Sequence, residues 1–206
     1  MKNIYIFRHG ETDWNAIDKL QGRNDIELNE NGIQQAQNIS KHIKDINFDR
    51  IFSSPLKRAL KTAKTVANDL NIENIILEND LIECSFGDAE GVIRKDINSI
   101  FGKNFGENFY SGDIQYDDLK FPNGESKKEL RDRITNCINK IVLNNLDLDN
   151  YLLSSHGFAI KQLIIATGSE DYSGLKNCEI VHFQFDIEKY YKNEEYLYFI
   201  ERIKTN

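Results

Sequence analysis

Cysteine is scarce in this chain, and what there is forms no arrangement for cross-linking or metal binding. Cys84, Cys137 and Cys178 are three, an odd number, lie far apart and include no CxxC pair. Neither a disulfide framework nor a zinc site is implied, and a reducing cytoplasmic setting is the simplest one. An excess of positive charge is missing too: 26 Lys and Arg face 33 Asp and Glu, for a formal net charge of −7. That balance argues against a nucleic-acid or acidic-membrane partner, yet a few arginines in a cleft can still hold a small anion. No apolar run approaches the ~18 residues that span a bilayer. Arg8 and His9 also interrupt the N-terminal apolar run before a secretory core can form. Domain-scale repeats, low-complexity stretches and interdomain linkers are absent. The chain reads as one domain, residues 1–206, whose 40% hydrophobic content fills a single core.

What is present is an alternation of strand and helix patterns. Residues 3–7 are a first strand. Ile33, Ala36, Ile39, Ile43 and Ile46 recur at spacings of three and four, which predicts a helix over 32–46 with those residues facing the core. RIFS (50–53) is a short strand, and Pro55 suits the start of the helix LKRALKTAKTVANDL. NIILEN (74–79) and YLLSS (151–155) are further strands. Leu130, Ile134, Ile138, Ile141 and Val142 mark an amphipathic helix, for which Ser126 and Glu129 supply a capping box. In the tail, Val181, Phe183 and Phe185 alternate with polar residues, and YLYFIERI follows a polar turn. This predicts an antiparallel hairpin at a sheet edge. The whole implies an α/β fold with a mostly parallel sheet covered on both faces. Residues 92–125 fit least well. Phe101, Phe105 and Phe109 have helical spacing, but Gly102 and Gly106 weaken that helix, so the stripe is either core packing or part of a lid.

The strand ends carry the chemistry. IYIFRHG ends the first strand in Arg8-His9-Gly10, SSP ends the second and leads to Arg58, and SSHG places His156-Gly157 after YLLSS. Parallel sheets bind ligands beyond such carboxyl ends. Guanidinium groups suit bidentate recognition of phosphate oxygens, and a neutral imidazole is a nucleophile. Neighbouring arginines keep His9 unprotonated. Gly10 is expected to let backbone amides approach an anion through unusual dihedrals.

The segments IFRHGETDWN, QGRNDIELNENGIQQA, SSPLKRALKTA, LIECSFGDAEG, FPNGES and SSHG, in that order, resemble the signatures of the histidine phosphatase superfamily. The likeness is to its phosphoglycerate-mutase-like phosphatase branch, and it runs along nearly the whole chain. The resemblance implies a three-layer α/β/α sandwich and no metal or other cofactor. It makes His9 the nucleophile and Glu83 the proton donor and then the base. Arg8, Arg58 and His156 complete the phosphate pocket, Asn15 adds a hydrogen bond, and Gln21 and Gly22 line the substrate side. Residues 92–125 take the place of a variable lid-like insertion. The partner is a small phosphorylated metabolite. Whether the protein is a monomer or a homodimer is left open.

Blander readings stand beside these. Glu78, Asp80, Asp88 and Glu90 compete with Glu83 as the acid, with Glu90 also readable as structural. Trp14 reads as packing, His42 and His182 as non-catalytic, and Cys84 as a small buried residue. Lys95 and Lys103 read as surface lysines rather than as contacts to a second anion. Three alternatives to the phosphatase remain. A phosphoglycerate mutase is disfavoured because mutases resemble one another in a Glu-Arg-His-Tyr-Gly stretch where this chain has ECSFG. A metallohydrolase would use His9, Glu11, Glu83 and His156, a spacing without a familiar ligand motif. A non-enzymatic phosphate-binding module has no need of both a nucleophile and an acid.

Overall fold

Four strands, β1 (Lys2–Arg8), β2 (Arg50–Ser53), β3 (Asn74–Leu77) and β4 (Asn150–Ser155), form the parallel part of a six-stranded sheet. The geometry is that of a computed structural model, which describes residues 1–205. The sheet order is β3-β2-β4-β1-β5-β6, where β5 (Ile180–Phe185) and β6 (Leu197–Ile203) run antiparallel. The expected hairpin is therefore present, with β6 at the edge and β5 inside against β1. Its connection is not a plain polar turn. Asp186 accepts from the Lys189 N–H at 3.1 Å and caps a short helix there, Ile187–Tyr191.

Alternation along the central strands builds two core layers. Ile4, Ile6, Tyr151 and Leu153 face the side covered by the helices Lys127–Leu143 and Gly157–Ala166. Tyr5, Phe7, Ile51 and Leu152 face the side covered by Glu30–Ile43 and Lys57–Leu70. In chain order the helices are α1 (Asp13–Ala16), α2 (Glu30–Ile43), α3 (Lys57–Leu70), α4 (Ile97–Phe101), α5 (Phe105–Tyr110), α6 (Lys127–Leu143), α7 (Gly157–Ala166) and α8 (Ile187–Tyr191). The period of two sends neighbouring side chains to opposite faces, and the result is the α/β/α sandwich. None of these helices is long and apolar enough to cross a membrane.

Two local expectations need correction. Helix α2 begins at Glu30, where Asn29 accepts from the Gly32 N–H at 2.8 Å, and it ends at Ile43. Its buried stripe is Gly32, Ala36, Ile39, Ser40 and Ile43, while Ile33 is 37% exposed. Ala36, Ile39 and Ile43 of the expected stripe are thus buried, while Gly32, packed on the Glu11 backbone, takes the place of Ile33, and Ile46 lies beyond the end of the helix. In the 92–125 region, Gly102 (φ 117°) and Asn104 (φ 62°) break the chain between α4 and α5. Phe101, Phe105 and Phe109 pack all the same: Phe109 is fully buried and meets Phe121 at 4.7 Å and Phe158 at 5.4 Å between ring centroids. Ser126 caps α6 with the expected box, its oxygen taking the Glu129 N–H while the Glu129 carboxylate takes its own.

Candidate active site

Arg8, Ser53 and Ser155 are the last residues of β1, β2 and β4, so their exits open at one end of the sheet. A cavity of about 320 Å³ lies there. Arg8, His9, Asn15, Gln21, Gly22, Arg58 and Glu83 line it, and His156 sits behind, its ring 5.2 Å from that of His9. All eight residues that the resemblance assigns to the site are therefore brought to this place.

His9 is 2% exposed and held at both nitrogens. Its Nδ1–H donates to the Gly10 carbonyl at 2.7 Å, which leaves Nε2 as the nitrogen with the lone pair. Arg58 Nε–H donates to that Nε2 at 3.2 Å. Burial, then Arg58, then Arg8 push the imidazole well below its ordinary pKa, so it is neutral at physiological pH. Gly10 does a different job from the one expected. Its N–H donates to Thr62 Oγ1 at 3.1 Å, and a Cβ there would stand 2.3 Å from the Gly32 carbonyl oxygen. It is a glycine so that α2 can pack against the exit of β1.

Arg58 enters from the first turn of α3 and is fully buried. Its terminal nitrogens donate to the Gly22 and Asn24 carbonyls, both at 2.7 Å. Three of its five donors are thus committed to protein, and the free bidentate fork expected from the sequence is not what the structure shows. The guanidinium is oriented by the 22–24 loop, and burial lowers its pKa to about 10, which leaves it charged. Gly22 adopts φ 52°, and a Cβ would strike the Glu90 carboxylate. Glu90 is a tie for that loop, accepting from the Arg23 N–H, the Phe86 N–H and Asn24 Nδ2.

Arg8 donates through one terminal nitrogen to the Leu175 carbonyl, while its buried Nε has no protein acceptor. That Nε lies against Gly157, where a Cβ would approach to 3.1 Å. His156 is completely buried and sits at the start of α7. Its Nε2 pairs with Ser54 Oγ at 2.8 Å, and its Nδ1 has no partner. In the tautomer where the Ser54 hydroxyl donates to Nε2, the proton of this neutral ring is on Nδ1. Burial and the Arg58 charge keep the ring neutral. Arg8 Nε is thus a buried donor left for an anion to satisfy, and His156 Nδ1 is a second in that tautomer.

Glu83 is the one carboxylate among the lining residues. It accepts from the backbone N–H groups of Cys84 (2.9 Å), Phe158 (3.1 Å) and Ala159 (3.0 Å), and so caps α7 from across the chain. Its rivals are engaged elsewhere: Glu78 with Lys140 and Asp88 with Asn123, while Asp80 stays outside the cavity. Glu11 accepts from Asn29 Nδ2 at 3.0 Å. Among the described residues no three His, Cys, Asp or Glu are grouped to hold a metal ion. Asn15 spends its Oδ1 on Thr12 and Asn177, so its amide nitrogen is the group it can offer. Gln21 Oε1 is buried without a partner.

Trp14, His42 and His182 stay outside the cavity lining. Trp14 lies under the Lys19 ammonium at 4.3 Å, His182 stacks on Tyr5, and His42 Nδ1 pairs with the Asn38 carbonyl. Cys84 is fully buried, and burial raises its thiol pKa far above the usual value. The sequence reasoning missed Asn177, whose amide donates to the His9 carbonyl at 3.0 Å. It also missed Arg94, Tyr110 and Lys161, which form the roof. No spacing signals them, because each comes from a different loop or helix.

Residues 4–197 match the model of the histidine phosphatase superfamily (branch 1). The chain belongs to that superfamily and is an enzyme of its phosphoric monoester hydrolase kind. It is 34% identical over 173 residues to the uncharacterized phosphatase PhoE of Bacillus subtilis (strain 168), covering 83% of this chain and 80% of that one. It is 32% identical over 190 residues to the probable phosphoglycerate mutase GpmB of Escherichia coli (strain K12 / DH10B), with 87% and 83% covered. Among solved structures, a mutant phosphoserine phosphatase from Entamoeba histolytica in complex with phosphoserine superposes with a TM-score of 0.82. That protein is 29% identical, and the match covers 100% of this chain and 98% of the other.

Proposed function

We propose that the protein is a metal-independent phosphatase of small phosphomonoesters that works through a phosphohistidine on His9. The observation that carries this reading is the neutral His9 Nε2, buried between two arginines and beside the unpartnered Arg8 Nε and His156 Nδ1. The ester phosphate enters with its oxygens on Arg8 Nε, His156 Nδ1 and the remaining Arg58 donors, and Asn15 adds its amide. Arg58 Nε–H exchanges Nε2 for a phosphate oxygen, the freed Nε2 lone pair attacks phosphorus, the P–O bond to the alcohol breaks, and Glu83 as a carboxylic acid protonates the leaving alkoxide. Glu83, now a carboxylate, takes a proton from water. The water oxygen attacks phosphorus, the P–N bond breaks, and inorganic phosphate leaves. The arginines carry the charge that gathers on the transferring group, as phosphoryl transfer requires.

Mutase chemistry is the second reading, favoured by the likeness to GpmB. It would return the phosphoryl group to the substrate before water arrives. One assay separates the two: purified protein in EDTA with p-nitrophenyl phosphate, phosphoserine and 3-phosphoglycerate, measuring free phosphate and 2-phosphoglycerate. Phosphate release without isomerisation is expected. Isomerisation with little free phosphate would replace the phosphatase by the mutase.

A further inference from the structure

Residues 174–179, on the way from α7 to β5, are bound closely to the end of β1. The Leu175 carbonyl takes a terminal N–H of Arg8, and the Glu179 carbonyl takes the Arg8 main-chain N–H at 3.1 Å. The Cys178 N–H donates to the Arg8 carbonyl at 3.1 Å and reaches that of His9 at 3.4 Å. Cys178 is buried at φ 63°, in the left-handed region that costs a non-glycine residue about 1–3 kcal/mol. Ties from behind hold it there. Arg202 of β6 donates to the Ser173 carbonyl at 3.1 Å and pairs with Asp171, and Thr205 Oγ1 donates to the Cys178 carbonyl at 3.1 Å. Strain of this kind gathers where a site needs a fixed geometry. The side chain beside it is Asn177.

The two amide hydrogens of Asn177 have two acceptors. Nδ2 donates to the His9 carbonyl at 3.0 Å and to Asn15 Oδ1 at 3.2 Å. A main-chain carbonyl only accepts, so His9 fixes which way round the Asn177 amide sits. The second hydrogen then demands an oxygen from Asn15. The Thr12 N–H makes the same demand at 3.2 Å. With Oδ1 claimed by both, Nδ2 is the group Asn15 can offer to the cavity it lines. Turned the other way, Asn15 would set its NH₂ against those two donors and show a carbonyl oxygen to an anion. The polarity of the Asn15 amide is therefore set by the carbonyl of His9 and relayed through Asn177.

We propose that Asn177 is a positioning residue for phosphate binding, acting through Asn15 to keep that amide turned with its NH₂ toward the anion. The inference rests on the phosphatase reading of the same cavity, and the test keeps the two apart. Calorimetric titration with inorganic phosphate is run on the unaltered protein, Asn15→Ala, Asn177→Ala and the double variant. Asn15→Ala is expected to weaken binding by about 10-fold or more, the scale of one hydrogen bond to a charged group. Asn177→Ala should weaken it by about 5-fold in the unaltered background but by less than about 2-fold in the Asn15→Ala background, the signature of two residues acting as one. Equal losses in the two backgrounds would mean that Asn177 only secures its own segment, and no loss in either would mean that it positions nothing. Both results overturn the proposal. Melting temperatures check folding. If Asn177→Ala does not fold, Asn177→Ser takes its place in the cycle, its hydroxyl being too short to bridge His9 and Asn15. If the unaltered protein binds no phosphate, the proposal falls with the pocket. If it binds phosphate but does not turn over p-nitrophenyl phosphate in EDTA, the hydrolytic reading falls alone and the cycle still decides.

Discussion

The floor and the roof of the cavity are built on opposite principles. On the floor, Arg8, His9, Arg58 and His156 leave the ends of strands or the first turn of a helix, and hydrogen bonds to nearby main chain and hydroxyl groups fix their positions. In the roof, Arg94, Tyr110 and Lys161 come from separate elements and are placed by aromatic packing and a few long-range polar ties. A floor of that kind can present one geometry to any phosphate ester. A roof of that kind can change its substrate by changing a side chain without disturbing the sheet.

The largest effect should come from the floor. His9→Ala removes the nucleophile, and kcat/KM for every ester should fall by about 10⁴-fold or more, more than ~5 kcal/mol of barrier. The melting temperature should stay close to that of the unaltered protein. Steady-state rates with p-nitrophenyl phosphate check this, and an unchanged rate would end the phosphohistidine mechanism.

Next is Glu83→Gln. Alkyl esters need a proton on the departing oxygen, so their rate should fall by ~10²–10³-fold, while an aryl ester should fall far less. Because Glu83 also caps α7, the substitution turns an NH₂ group toward one of three backbone N–H donors and costs stability as well. Loss of the cap alone would slow both esters equally, so the ratio between them is the measurement that counts.

Acidification comes third and probes the floor as a whole. His9 and His156 are held neutral in the folded state, with pKa values well below ordinary histidine. Below pH ~6.5 the unfolded chain binds protons that the folded one refuses. Stability is therefore lost as pH falls through that value. At pH 5.5 the two groups together should cost about 3 kcal/mol relative to pH 7.5, or a drop of ~6–12 °C in melting temperature for a chain of this size. Replacing His156 by a neutral residue should flatten the profile; an unchanged profile would mean that the buried imidazoles are charged after all.

The same contrast explains which residues the sequence revealed. Floor residues follow apolar strands directly, so a strand pattern plus its next residue locates them, and all eight site residues lie at the cavity or against it. Their detailed roles were harder. Gly10 serves a contact with Gly32, which no local pattern shows, and Arg58 spends its donors on carbonyls 34 and 36 residues away. Roof residues have no such local signature. Arg94 looks like any surface arginine beside Lys95, and Lys161, next to Gln162, like one of two polar positions in an apolar helix. Only the packing of α5 over α7 brings Tyr110 and Lys161 together.

The smallest expected effect tests whether floor and roof are separable at all. Arg131 of α6 ties the end of the roof segment down: it grips Asp117 with two hydrogen bonds of 2.8 and 2.9 Å and reaches Gln162, the neighbour of Lys161, at 3.1 Å. Those bonds hold the Asp117 carboxyl below its usual pKa, so the pair is ionised at neutral pH. Arg131→Met keeps the aliphatic stem and removes the fork. Lys127 remains 4.0 Å from Asp117 and limits the damage, so the loss should be about 1–2 kcal/mol, or ~2–8 °C. Turnover of p-nitrophenyl phosphate, which has no group to reach the roof, should stay within about 2-fold, because no atom of Arg131 holds the floor. A fall comparable to that of a floor variant would mean that the roof positions His9 after all, and the division of labour argued above would have to be abandoned.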